Sequence, residues 1–220
     1  MALAKRESRI MSIKFHVGMS TLLHVIEVLG VFVFASSGLV EARRKKMDLV
    51  GVYTVAFITA FGGGTVRDIL LDRRPLFWIE NYEYPSLIFI FCIVVSPFFR
   101  QLRQVVTERF ILYADALGLG LFSISGTSLA LAMHMPMFVC VMMGVITGIF
   151  GGVLRDMICN EIPMVFRRGQ LYATCSFFGC WAYLFLSQSG LGELVSVTVA
   201  IILTFASRVL AVRYDWKLPG

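Results

Sequence analysis

The chain has 220 residues, of which 58% are apolar and only 15% are charged, and its formal net charge is +6. This composition is typical of membrane proteins and leaves no room for a separate soluble domain. The lysines and arginines lie in short segments between apolar blocks, where orientation bias and anionic lipid headgroups account for them. We therefore expect membrane lipids as partners and no nucleic acid.

Seven apolar blocks come close to the roughly 20 residues that a helix needs to cross a bilayer. They cover residues 21–40, 49–70, 85–102, 111–133, 137–158, 171–189 and 192–212. The basic segment 1–20 is interpreted as an N-terminal tail before a retained helix, because no convincing cleavage site follows the first block. The predicted fold is an all-α integral membrane protein with seven transmembrane helices.

The same polar and small residues recur at a constant offset of 88 positions. Members of segment 61–75 have identical partners in segment 149–163, as Gly63, Gly64, Arg67, Asp68 and Pro75 match Gly151, Gly152, Arg155, Asp156 and Pro163. A chance match of apolar sequence would repeat leucine and valine rather than these residue types. We interpret the pattern as the duplication of one structural unit.

The duplication divides the chain into a first repeat at 21–105, a second repeat at 109–190, a seventh span at 191–213 and a C-terminal tail at 214–220. Because each repeat holds three spans, the second repeat begins on the opposite side of the membrane. Two inverted repeats of this kind, with a functional path between them, are typical of transporters. The seventh span lies outside the repeat and is expected to serve packing or assembly.

Basic residues in the connections predict the orientation, because cytoplasmic loops carry an excess of lysine and arginine. With the N-terminus outside, the inner side carries Arg43, Arg44, Lys45, Lys46, Arg100, Arg103, Arg109, Arg167, Arg168, Arg213 and Lys217. The outer side carries Lys5, Arg6, Arg9, Lys14, Arg73 and Arg74. The balance favours an outer N-terminus and a cytoplasmic C-terminus.

Adjacent glycines occur in the second and fifth spans, as Gly62, Gly63 and Gly64 and as Gly151 and Gly152. One interpretation is close helix packing through small residues. The other is a broken helix whose freed carbonyls face a water-filled path, since irregular backbone in a membrane needs protein or water partners. We favour the second, because glycine clusters recur at both sites beside an Arg-Asp pair.

The Arg-Asp pairs, Arg67-Asp68 and Arg155-Asp156, follow these glycines. Neighbours in sequence point to different faces of a helix, and an unpaired arginine within a span is costly. We therefore hypothesise crossed pairs, Arg67 with Asp156 and Arg155 with Asp68, as gating or structural ion pairs. The alternative is that each pair only anchors a helix end at the membrane interface.

Two carboxylates related by the same offset, Glu27 and Asp115, lie near the start of apolar spans. Intramembrane acids usually face a partner or a water-lined cavity, so they are candidates for attracting cations to the two mouths of a path. Favourable placement near a helix N-terminus is the alternative. The remaining predicted path residues, also offset by 88, are Ser37 with Ser125 and Thr59 with Thr147.

No sequence motif indicates catalysis or a cofactor. A zincin helix, a phosphate-binding loop and a nucleophile elbow are all missing from the sequence. The five cysteines, Cys92, Cys140, Cys159, Cys175 and Cys180, have no metal-ligand spacing and are expected to be small buried apolar residues. We predict no enzyme activity, no metal site and no cofactor.

The doubled motif, FGGGTVRD at 61–68 and GGVLRD at 151–156, resembles the signature of the prokaryotic TRIC (trimeric intracellular cation) channels, whose members also carry the label of glycine transporter domain. The resemblance implies a homotrimer in the bacterial inner membrane, with a pore in every protomer formed by spans one, two, four and five. It implies conduction of potassium and also of sodium, with the five motif glycines as pore-bending positions. A secondary carrier of glycine or another small zwitterion is the alternative.

This sequence departs from the family pattern at two points. The fourth span, 111–133, has no lysine, whereas animal relatives have a lysine motif there that is associated with phosphoinositide binding, so phosphoinositide regulation is not expected. The second motif has Val153 where the first has Thr65. The two halves therefore need not contribute equally to the path.

Overall fold

The computed structural model describes residues 2–102, 108–167 and 171–216, with side chains described in 21–97, 109–167 and 171–216. No β-strand occurs in the described part of the chain. A 3-10 turn, Met164–Phe166, accompanies eight helices. These are α1 (Ala2–Arg44), α2 (Leu49–Leu70), α3 (Phe77–Glu80), α4 (Glu83–Leu102), α5 (Glu108–Ala132), α6 (Met137–Ile158), α7 (Ala173–Gln188) and α8 (Glu193–Arg213).

Five of the described helices are long and apolar enough to cross a membrane: Thr21–Arg44 within α1, α2, Arg109–Ala132 within α5, α6 and α8. Both α2 and α6 occupy the predicted blocks from end to end. Of α4, only the apolar segment Glu83–Pro97 has described side chains, and α7 has 16 residues. The all-α membrane fold is confirmed, whereas the count of seven spans and the inversion of the repeats stay predictions.

Some of the predicted boundaries lie outside the described residues. The first repeat was predicted to end at 105, and the C-terminal tail 214–220 is described only as far as 216. The side chains of the basic tail 1–20 are also outside the described set, as are those of Arg100, Arg103, Arg168 and Lys217.

The α2 and α6 helices, which carry the motif glycines, end in the same way. After α2 the backbone of Asp72 has a φ of 51°, and after α6 that of Asn160 has a φ of 55°. Aspartate and asparagine adopt this left-handed conformation more readily than other residues with side chains. Because Asp72 and Asn160 are also 88 positions apart, the duplication extends to the local chemistry that stops each helix.

Two apolar cores lie side by side. One joins α1, α2 and α4 through residues such as Leu39, Val52 and Ile88, and the other joins α5 to α8 through residues such as Ile124 and Val145. The α5 helix packs against α1, α6, α7 and α8, while α2 packs against α1, α4 and α6. The α1, α2, α5 and α6 helices therefore form the seam between the two cores, where the polar residues of the repeat collect.

Candidate ion path

A buried ionic cluster, the Arg67 cluster, forms where α1, α2 and α5 meet. Only 1% of Arg67 is exposed. Its Nε and Nη2 atoms donate to Asp68 Oδ1 at 2.9 and 2.8 Å. Its Nη1 atom donates to Glu27 Oε1 and, at 3.3 Å, to Ser125 Oγ. One guanidinium thereby joins two carboxylates of its own repeat to a hydroxyl of the other repeat.

The Arg155 cluster repeats this arrangement with α6, α5 and α1. Arg155 is equally buried, and its Nε donates to Asp156 Oδ1 at 2.8 Å. Its Nη1 donates to Asp115 Oδ1 at 2.9 Å and to Ser37 Oγ at 2.5 Å. Every member is 88 positions from its counterpart in the Arg67 cluster, so each arginine binds two acids of its own repeat and one serine of the other.

The crossed ion pairs that we predicted are wrong. Arg67 contacts Asp68 rather than Asp156, and Arg155 contacts Asp156 rather than Asp68. Neighbours in sequence start on different faces of a helix, but each arginine side chain is long enough to fold back, so that its Nε reaches the adjacent carboxylate. The interfacial snorkelling alternative also fails for these residues, because neither guanidinium reaches the surface.

Each aspartate of the motif also holds the chain segment that follows its helix. Asp68 Oδ2 accepts a hydrogen bond from the backbone N–H of Phe77 at 3.0 Å. Asp156 Oδ2 accepts one from the backbone N–H of Met164 at 3.1 Å. The sequence analysis missed this role, although the recurrence of a proline seven positions after each aspartate was its signal. The connection after each helix is thereby fixed to the cluster.

The motif glycines allow α2 and α6 to approach closely. A Cβ atom on Gly63 would overlap the carbonyl oxygen of Thr147, and one on Gly151 would overlap that of Thr59. Both helices continue through these glycines as uninterrupted α-helix. The interpretation that the helices are broken there, with freed carbonyls, is therefore wrong for this conformation, and close packing is the observed role. A bend of the helix axes stays a prediction.

The other predicted path residues divide between packing and the clusters. Gly62 lies against Leu154, while Gly64 and Gly152 each have an arginine guanidinium at 3.8 to 3.9 Å from an added Cβ. The hydroxyls of Thr59 and Thr147 donate to carbonyl oxygens of their own helices at 2.6 Å. Among these predicted glycines and threonines, those nearest the charged clusters are thus Gly64 and Gly152.

Two open cavities reach the clusters from opposite ends of α1 and α5. Vestibule 1, of about 660 Å³, is lined by Thr21, His24, Glu27, Arg73, Ser125 and His134, among others. Vestibule 2, of about 520 Å³, is lined by residues including Glu41, Arg44, Arg109, Arg155, Asp156 and Arg208. Vestibule 1 thus ends on the Arg67 cluster, and vestibule 2 ends on the Arg155 cluster.

An aromatic pair lies between the two clusters along both α1 and α5. The rings of Phe34 and Phe122 have centroids 5.2 Å apart. Each ring covers a glycine of the other repeat, as Phe122 packs on Gly30 and Phe34 packs on Gly118. From the rise of an α-helix, the ten-position separation of Glu27 and Ser37 along α1 places the clusters about 15 Å apart. The Phe34 and Phe122 rings lie between the two clusters, and the sequence analysis did not assign them to the candidate path.

The rim of vestibule 2 carries an exposed ion pair between the ends of α1 and α6. Lys45 Nζ donates to Glu161 Oε1 at 2.5 Å. This hydrogen bond lowers the pKa of the Glu161 carboxyl and raises the pKa of the Lys45 ammonium. Arg167 also lies 3.6 Å from Glu161. The pair links the two repeats at the rim of this vestibule.

Comparison with known proteins identifies the family. A sequence profile described as "Glycine transporter" matches residues 24–100 and again residues 112–188. The structure of the TRIC channel orthologue from Rhodobacter sphaeroides superimposes with a TM-score of 0.82 at 33% identity, covering 88% of this chain and 98% of that one. The chain belongs to the prokaryotic TRIC channel family. A second solved structure, of a TRIC cation channel, superimposes with a TM-score of 0.78 at 36% identity, covering 90% of this chain and 96% of that one.

Bacterial relatives extend over most of this TRIC family chain. A membrane protein of Vibrio cholerae is 36% identical, covering 91% of this chain and 83% of its own length. The inner membrane protein YadS of Escherichia coli is 33% identical, covering 90% and 95%. The chain is therefore a multi-pass membrane protein, and as a member of a channel family it is not an enzyme.

Proposed function

We propose that this TRIC protein is a passive channel for monovalent cations, chiefly potassium and also sodium. The observation that carries the proposal is the pair of vestibules, which approach from opposite ends and reach the two matched ionic clusters. The solved structures it resembles are channels described as conducting cations. The conducting path lies within one protomer, between the α1, α2, α5 and α6 helices.

In this proposal the carboxylates of the clusters are the groups that attract cations. Glu27 lines vestibule 1 directly. Asp115 Oδ2 is buried and has no hydrogen-bond partner among the described residues. Its other oxygen binds Arg155. The arginines hold these acids in place and limit how strongly a cation binds, which conduction requires because bound ions must also leave.

The described conformation is a closed one. The Phe34 and Phe122 rings and the α2–α6 contact at Gly63 and Gly151 occupy the path between the vestibules. Opening requires the two repeats to move apart along this seam. A bend at the motif glycines supplies such a movement, since glycine clusters are common positions for helix bending.

The architecture in this proposal has seven spans, with α1, α2 and α4 inverted relative to α5, α6 and α7. The N-terminus is outside, the C-terminus is cytoplasmic and three protomers form a homotrimer. Matched contacts at a constant offset support the inversion. The similar trimeric intracellular cation channel orthologue from Rhodobacter sphaeroides supports the trimer. In this orientation vestibule 2 faces the cytoplasm.

Planar bilayer recordings of the purified protein test this function. With potassium chloride at different concentrations on the two sides, we expect unitary current steps that reverse near the potassium equilibrium potential. Saturable uptake of labelled glycine into proteoliposomes, without current steps, would instead support the carrier that the family profile's description names. The absence of both activities would contradict channel and carrier alike.

A further inference from the structure

The α8 helix, which lies outside the duplicated unit, contributes a charged side chain to vestibule 2. Arg208 is 1% exposed and lines this vestibule. Its guanidinium carbon lies 4.8 Å from the centroid of the Tyr172 ring, and its Nη2 atom is 3.9 Å from Met164 Sδ. An arginine over an aromatic face is a favourable arrangement. These contacts fix a positive charge beside the Arg155 cluster.

At the other end of the path, the tyrosine that corresponds to Tyr172 has a different neighbour. Tyr84 lies 88 positions before Tyr172, and its hydroxyl forms a hydrogen bond with His24 at 2.9 Å. Its ring is stacked on Phe77. Where α8 presents the Arg208 guanidinium to Tyr172, α1 presents the His24 imidazole to Tyr84. The two ends of the path are therefore alike in backbone and different in charge.

The lining of vestibule 2 is also more positively charged than that of vestibule 1. Vestibule 2 is lined by five arginines and three carboxylates among the described residues. Vestibule 1 is lined by one arginine and two carboxylates, together with two histidines. Among the described side chains, positive charges outnumber negative ones in vestibule 2, which repels cations, whereas carboxylates outnumber the single arginine in vestibule 1.

We infer that Arg208 is a rectifying residue. Its charge depletes monovalent cations in vestibule 2, so the open channel carries more current when cations enter from vestibule 1 than when they enter from vestibule 2. Arg208 acts on the local ion concentration without coordinating the ion. This inference rests on the proposed cation channel function.

Coulomb's law sets the size of the effect. A unit charge about 8 Å from a monovalent cation in water changes the local cation concentration about twofold. The ratio of currents at equal and opposite voltages should therefore fall about twofold when the charge is removed. Screening is strong at high salt, since the Debye length is about 10 Å at 0.1 M and about 3 Å at 1 M. Rectification should accordingly weaken as the potassium chloride concentration rises.

Single-channel currents of the full-length protein in symmetric potassium chloride test the inference. We expect Arg208→Gln to lower the rectification ratio about twofold, and Arg208→Lys to preserve it because the charge remains. Arg213→Gln is the matched control, because Arg213 is an exposed arginine of the same helix that contacts Tyr214 and does not line the vestibule. We expect it to rectify like the unsubstituted protein.

To establish the direction of rectification, the experiment must identify which chamber vestibule 2 faces. Lys45 is exposed at the rim of vestibule 2 and the native cysteines are buried. In the Lys45→Cys variant, a cationic membrane-impermeant thiol reagent should reduce the current only from the chamber that vestibule 2 faces. The larger current should then correspond to cations entering from the opposite chamber.

The outcomes separate this inference from the proposed function. Absence of unitary currents from the unsubstituted protein would contradict the channel itself. Unitary currents that are symmetric, rectify in the opposite direction or rectify equally at 0.1 and 1 M salt would overturn the inference and leave the channel intact. These measurements on the unsubstituted protein test the inference even if Arg208→Gln does not fold. Equal rectification in Arg208→Gln and Arg213→Gln would also overturn the inference.

Discussion

The contact between α2 and α6 makes a sharp prediction for two adjacent glycines. Gly63→Ala places a methyl group on the backbone carbonyl of Thr147, whereas the nearest atom to a methyl group at Gly64 is Arg67 Nη2 at 3.9 Å. A backbone oxygen in a helix cannot rotate away, so the first substitution must push α2 and α6 apart. The second needs no displacement.

The comparison of the two variants isolates the packing effect. Both replace glycine with alanine in the same helix, so the gain in helix propensity of about 1 kcal/mol is common to them. Overpacking typically costs about 1–3 kcal/mol. We therefore expect Gly63→Ala to be less stable than Gly64→Ala by about 1–3 kcal/mol. Gly151→Ala should behave like Gly63→Ala, because its Cβ would overlap the Thr59 carbonyl oxygen.

Reversible unfolding in mixed detergent micelles, followed by circular dichroism, measures this difference. The free energy of unfolding should rank Gly64→Ala above Gly63→Ala. Equal stabilities for the two variants would refute the close helix contact in the folded protein. Such a result would restore the interpretation in which the helices open at the motif glycines.

Three further variants test the aromatic pair, one ionic cluster and the rim of vestibule 2. Phe34→Leu combined with Phe122→Leu should raise the resting potassium leak of proteoliposomes, because the aromatic pair closes the path, and an unchanged leak would place the constriction elsewhere. Glu27→Gln should lower the free energy of unfolding by up to about 3 kcal/mol, since removing one partner of a buried ion pair leaves charge uncompensated; a change within experimental error would contradict the pairing. The hydrogen bond from Lys45 lowers the pKa of the Glu161 carboxyl. The stabilisation of the folded protein by this ion pair is therefore complete above the ordinary carboxyl pKa, and it is lost as the pH falls through the lowered value. Thermal unfolding between pH 3 and 7, chosen to span that range, should therefore show a smaller acid-side decrease in Glu161→Gln, and identical profiles would reject this contribution.

Much of the fold could be predicted from the sequence because its causes are local. The apolar blocks that predicted α2 and α6 match the observed helices residue for residue. Matching residues at a fixed offset also predicted which polar side chains have equivalent surroundings, and Arg67 and Arg155 indeed have equivalent partners. The five cysteines are buried, as expected from their apolar neighbourhoods.

The partners of the site residues could not be predicted in this way. The Arg67 side chain is flexible, and sequence alone does not say which acids it reaches. Only the positions of α1 and α5 decide that it bonds to Glu27 and Ser125 in addition to Asp68. The motif glycines are equally compatible in sequence with an opened helix and with close packing. The distance between two helix axes separates these alternatives, and no local pattern encodes that distance.

The sequence by itself determined a duplicated helical membrane protein with two matched sets of charged residues, because hydropathy and repetition are properties of the chain read in one dimension. Only the tertiary structure decided how those charges pair, that Phe34 packs against Phe122 between the two clusters, and that Arg208 lines one vestibule. Each of these depends on where helices from distant parts of the chain come together. The long-range packing that positions α8 beside the second repeat is thus what makes two nearly equivalent ends of the path electrostatically different.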